Sequence, residues 1–116
     1  MSQLEQFNEL SAAEAERLAL LAEEMGDAIQ AIGKILRHGY ASHHPESQQN
    51  NRDNLEHELG DVRFAMLLMC EAGDVDKQEI HDYADEKRES VAQYLHHQPH
   101  ANPIAANPTD GTGGER

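Results

Sequence analysis

The sequence has no tryptophan and one cysteine, and aromatic residues make up only 4% of it. A single thiol rules out an internal disulfide and suits a reducing cytosol, so a cytoplasmic location is expected. The shortage of aromatics argues against modules that bind nucleic acid by stacking bases. Basic residues are also scarce: 9 Lys and Arg stand against 22 Asp and Glu, a net charge of −13. Such a surface repels nucleic-acid backbones and anionic membranes, so neither is an expected partner. A phosphate ligand stays possible where metal ions bridge it to the acids. No apolar run approaches the ~18 residues of a membrane span. The opening "MSQLEQFNEL" lacks the apolar segment of a signal peptide. There is no G-x-x-x-x-G-K-[ST] loop, which excludes a P-loop nucleotidase.

What the chain has instead is helical periodicity. Its 116 residues suit one domain with a small core. Ser11 and Glu14 in "SAAE" form a capping-box pattern, which predicts a helix start. Leu18, Leu21, Met25, Ile29, Ile32 and Leu36 follow at steps of 3 and 4 and predict its buried stripe. Gly39 marks the end, with Lys34, Arg37 and His38 complementing the negative end of the dipole. A short helix is expected over residues 3–10, and a polar loop over 40–51. A second helix, starting near Asn51 or Asp53, carries Leu55, Leu59, Val62, Met66 and Met69 and stops at Gly73. Cys70 in "FAMLLMC" reads as a small core hydrophobe rather than a reactive thiol. Asp76 with Glu79 predicts a third helix through Ile80, Tyr83, Ala84, Val91, Tyr94 and Leu95 to about His97. The tail from Gln98 has little to bury and is expected to be disordered. These elements predict an all-α domain over 1–97, a bundle of three to four antiparallel helices. Its core is thin enough that self-association is expected to complete it.

The chemistry lies in the acids. Glu24 and Asp27 are three residues apart on one helix, and Glu58 and Asp61 repeat the spacing on the next. Each pair borders its apolar stripe, so packing the stripes together should bring four carboxylates to one place. They could not all ionise there without a counter-charge, and a hard divalent cation with oxygen ligands is the natural one. The alternative is a solvated acidic face with no ligand. Gly26 and Gly60 each cost about 1 kcal/mol in a helix interior relative to Ala, which points to close approach of a backbone or ligand, or to helix packing. Lys87 falls on the apolar row of the third helix, where it must snorkel outward or meet an anion. Lys34 and Arg37 are further candidates for phosphate contact. The histidines carry no Cys/His ligand spacing, which disfavours zinc, and none follows a glutamate at the Glu-x-x-His spacing of di-iron bundles.

"EEMGD" followed by "ELGDV" resembles the EExxE…ExxD signature of the all-α nucleoside triphosphate pyrophosphohydrolases, the MazG-like superfamily. The stretch from Leu18 to Met69 carries the likeness. The resemblance implies a Mg²⁺- or Mn²⁺-dependent hydrolase that cleaves a nucleoside triphosphate between the α and β phosphates and acts as a homodimer or homotetramer. It implies Glu24, Asp27, Glu58 and Asp61 as metal ligands and Glu23 as an auxiliary catalytic carboxylate that orients the attacking water. Lys87 would contact substrate phosphates, and Lys34, from its place near the end of the first helix, is a further candidate for them. Two features depart from the pattern. Asp27 stands where the family usually has Glu, and 31 positions separate Asp27 from Glu58, at the long end of the family's range. The shorter side chain favours a rival reading, a catalytically silent helical oligomerisation module.

Overall fold

The computed structural model describes residues 7–98. Among the described residues, beyond the helical pair Phe7 and Asn8, come in order α1 (Ala12–His38), α2 (Asn51–Ala72), α3 (Lys77–Val91) and a 3₁₀ turn (Ala92–Tyr94). No strand occurs among the described residues. The chain divides into two compact units, Met1–Val75 with α1 and α2, and Asp76–Arg116 with α3 and the turn. Of the helix expected over 3–10, residues 3–6 lie outside the described residues, Phe7 and Asn8 are helical, and Glu9 and Leu10 are not; the expected tail lies outside them from 99 onward.

The helix ends follow from local chemistry. The Ser11 hydroxyl accepts from the Glu14 amide, and the Glu14 carboxylate accepts from the Ser11 amide, which closes the expected capping box. Asn50 and Asp53 make a second box at the start of α2, one that sequence reading missed. Asp76 caps α3 by accepting from the Glu79 amide. Gly73 ends α2 with φ 86°, ψ 9°, a left-handed conformation that favours glycine. Its N–H donates to the Cys70 carbonyl and that of Asp74 to the Met69 carbonyl, the Schellman pattern. α3 stops at Val91, short of the expected His97. Its last turn tightens to 3₁₀ and the chain is extended at Leu95.

α1 and α2 form an antiparallel hairpin, clasped at both ends. Arg17, near the start of α1, makes a two-point ion pair with Asp74, just past the end of α2: Nε to Oδ2 is 2.6 Å and a terminal guanidinium nitrogen to Oδ1 is 3.0 Å. At the other end the Asn51 side-chain amide donates to the Gly39 carbonyl, and the Arg52 guanidinium lies 4.8 Å from the Tyr40 ring centre.

The seam between the two helices corrects the expected one. Ala28, Ala31, Ala65 and Met69 are its buried apolar residues. On α1 the packed row runs through Leu21, Glu24, Ala28, Ala31 and Ile35, and on α2 through Asn51, Leu55, Glu58, Val62, Ala65 and Met69. Of the expected α2 stripe, Leu55, Val62, Met66 and Met69 are buried or half-buried. Leu18, Met25, Ile29, Ile32 and Leu36 are exposed, and so is Leu59. The true row on α1 is displaced by one residue, ~100° around the helix, from most of the expected stripe. Small alanines let the backbones approach, and the larger apolar side chains face away from α2. α3 buries no residue, and Ile80 and Val91 on it are half-buried.

Candidate metal centre

Glu24 and Glu58 stand in line with the packed rows of α1 and α2 and are half-buried there. Asp27 sits three residues after Glu24, near the same face. One carboxylate oxygen from each of Glu24, Asp27 and Glu58 lies within 4.8 Å of those of the other two. Glu24 and Glu58 are half-buried and Asp27 is exposed. Burial pushes the Glu24 carboxyl above its ordinary range, and the charges of Asp61, Glu23, Asp27 and Glu58 push it the same way.

Of the four predicted ligands, three converge. Asp61 is close enough for its charge to reach Glu24, but it stands outside the three-oxygen cluster, and its Oδ2 lies 3.4 Å from His57 Nε2, one turn back on α2. Glu23 is exposed beside Glu24. Lys34 shares a cleft of ≈ 250 Å³ with Asp27 and Glu58, whose other polar walls are Gln30, Asn51 and Asn54. Lys87 is exposed on α3, in the second unit. Gly26 and Gly60 are not pressed by packing: a Cβ at either position would meet nothing within 4 Å. Within the single chain, neither helix packing nor the close approach of another backbone accounts for them.

Gln30, Asn51 and Asn54 were missed in the sequence. Asn51 and Glu58 are seven residues apart, about two helical turns, so they project on one side of α2. That spacing was readable. It was masked because asparagine in the first turn of a helix looks like capping material.

An all-oxygen set of clustered carboxylates fits a hard cation such as Mg²⁺ or Mn²⁺ and offers nothing to a soft one. Residues 12–97, which span all three helices, match the MazG nucleotide pyrophosphohydrolase domain. The chain belongs to this family. No curated protein matches the chain, and no solved structure does. In this MazG domain the acidic cluster and the adjoining cleft are built by α1 and α2 alone, within one unit.

Proposed function

We propose that the chain hydrolyses a nucleoside triphosphate between the α and β phosphates, giving a monophosphate and pyrophosphate. Glu24, Asp27 and Glu58 would hold Mg²⁺ or Mn²⁺, with Asp61 as a further ligand beside them. The metal, when bound, supplies Lewis acidity and neutralises charge on the phosphates and the acids alike. Glu23, exposed beside Glu24, would accept a hydrogen bond from the attacking water and orient it. Lys34, two turns along α1 from Asp27 and lining the same cleft as Asp27 and Glu58, would give the phosphate chain a positive partner in an otherwise acidic molecule. Lys87 is a second candidate cation for the phosphates.

The observation that carries this reading is the meeting of three carboxylates from two helices in a half-buried seam, inside a chain of the MazG family. It also bears on the silent-module alternative, which drew on the shorter side chain of Asp27. That carboxylate reaches within 4.8 Å of both partners. The exposed row Leu18, Met25, Ile29, Ile32 and Leu36 supports assembly into a homodimer or homotetramer, because contiguous exposed apolar patches mark protein interfaces.

The deciding experiment is Glu58→Gln, assayed for pyrophosphate release from a panel of nucleoside triphosphates in Mg²⁺. The expected result is loss of nearly all activity with the helical circular dichroism unchanged. Activity that survives in this variant would refute the assignment of Glu58.

A further inference from the structure

The cleft beside the carboxylates continues past Lys34. Lys34, Asn51 and Asn54 also line a second cleft of ≈ 320 Å³, joined there by Arg37 and His38 from the last turn of α1 and by the α1–α2 loop at Ser42, His43, His44 and Pro45. This loop is closed at its base. The Asn51 N–H donates to the Ser42 carbonyl at 2.8 Å and the Arg52 N–H to the Tyr40 carbonyl at 3.0 Å. A compact surface loop with its ends joined is an Ω-loop, a form often used for recognition. Asn51 fixes it further. This side chain is only 7% exposed, and its amide donates to the Gly39 carbonyl at 2.9 Å.

The two loop histidines have defined hydrogen-bonding roles. His43 Nδ1 lies 2.9 Å from the His44 carbonyl oxygen, which can only accept, so Nδ1 carries the hydrogen. In the neutral ring this leaves His43 Nε2 as an acceptor. His44 Nδ1 accepts from the Glu46 N–H at 3.1 Å, so the neutral ring carries its hydrogen on Nε2, a donor. Neighbouring residues lining one cleft therefore offer an acceptor and a donor.

We propose that this loop cleft is the nucleobase subsite, with His43 and His44 reading the edge of the base and Lys34 marking its boundary with the phosphates. The inference rests on the pyrophosphohydrolase reading. The two sides of the cleft differ in chemistry. Lys34 and Arg37 on the α1 side suit phosphate oxygens, which only accept hydrogen bonds, whereas on the loop side the neutral His43 ring also presents an acceptor, which phosphate cannot use. A base edge carries both donors and acceptors. Pro45, on the same loop, gives its ring an apolar surface in a chain with no tryptophan.

The test is calorimetric titration of the full chain, in Mg²⁺, with a panel of nucleoside monophosphates and separately with inorganic tripolyphosphate. In the double variant His43→Ala/His44→Ala the Kd for the best monophosphate should rise ~10-fold, the scale of one or two neutral hydrogen bonds, with tripolyphosphate binding unchanged. His44→Phe, which keeps a ring and removes the donor, should show part of the same loss. Equal weakening of both ligands would reassign the cleft to phosphate and overturn the proposal. So would an unmoved monophosphate Kd, or no monophosphate binding by the wild-type chain. Monophosphate binding that depends on the histidines, in a chain that releases no pyrophosphate, would support the subsite and sink only the hydrolase reading.

Discussion

Glu24 on α1 and Glu58 on α2 lie in the packed rows that join the two helices, with carboxylate oxygens no more than 4.8 Å apart. A seam position is normally reserved for apolar side chains, and two like charges there oppose folding. A metal site held on two helices would gain precision from this arrangement, with the metal-free fold bearing its cost.

Replacing Glu24 separates those two effects. The carboxyl is held above its ordinary range in the folded chain, so its ionised form is disfavoured there. Stability is therefore greatest below the ordinary glutamate pKa and declines as pH rises through the raised value. At pH 7 without divalent cations, Glu24→Gln should melt higher than the wild type. Titrating Mg²⁺ should then raise the wild-type Tm according to RT ln(1 + [L]/Kd) and leave the variant almost unmoved. Equal Mg²⁺ responses from the two chains, followed by circular dichroism, would remove Glu24 from the site.

Much of the fold was legible in the sequence because caps and stops are local. Ser11 with Glu14, Asp76 with Glu79, Gly39 and Gly73 act through bonds spanning a few residues, and their residue types name the role. The face of α1 was not legible. Periodicity finds the row with the largest apolar side chains, here Met25, Ile29 and Leu36, whereas α2 packs on Ala28 and Ala31, whose small size gives little signal. Charge at seam positions hid the row further, since Glu24 and Glu58 read as its borders. The acidic pairs themselves were legible from spacing. Which oxygens meet was not, because it depends on helix rotation: that brings Asp27 in and leaves Asp61 beside His57.

The two glycines in the acidic motifs make a simple stability prediction. Open space surrounds a Cβ at Gly26 and at Gly60, and both positions are helical. Gly26→Ala and Gly60→Ala should each stabilise the metal-free chain by about 0.5–1 kcal/mol, measured by urea unfolding. A loss of stability in either variant would mean that another surface approaches the glycine in solution.

The Arg17–Asp74 clasp predicts a specific pH response. A hydrogen bond from Arg17 holds the Asp74 carboxyl below its ordinary range, and the neighbouring positive charge adds to this. A depressed folded pKa contributes stability that is present above the ordinary aspartate value and lost as pH falls through the depressed one. Asp74→Asn should therefore melt several degrees below the wild type at neutral pH, and the gap should close on acidification. A gap that stays constant into acid would assign the effect to hydrogen bonding or shape rather than to charge.

The exposed row on α1 sets the last expectation. Ile29 is 68% and Leu36 82% exposed, and a single chain gains little from either. Covering an isoleucine or leucine side chain stabilises by roughly 1.5–3 kcal/mol. In a two-fold assembly each position counts once per copy, so the loss from a polar replacement is doubled. Ile29→Asp should weaken association roughly a hundredfold or more. By light scattering after size exclusion, the wild-type chain should run at a multiple of 12.9 kDa and the variant should shift toward a single copy, with helical content retained. A wild-type chain that is monomeric at high concentration would show that these side chains serve no self-interface, and the proposed homo-oligomer would fall with them.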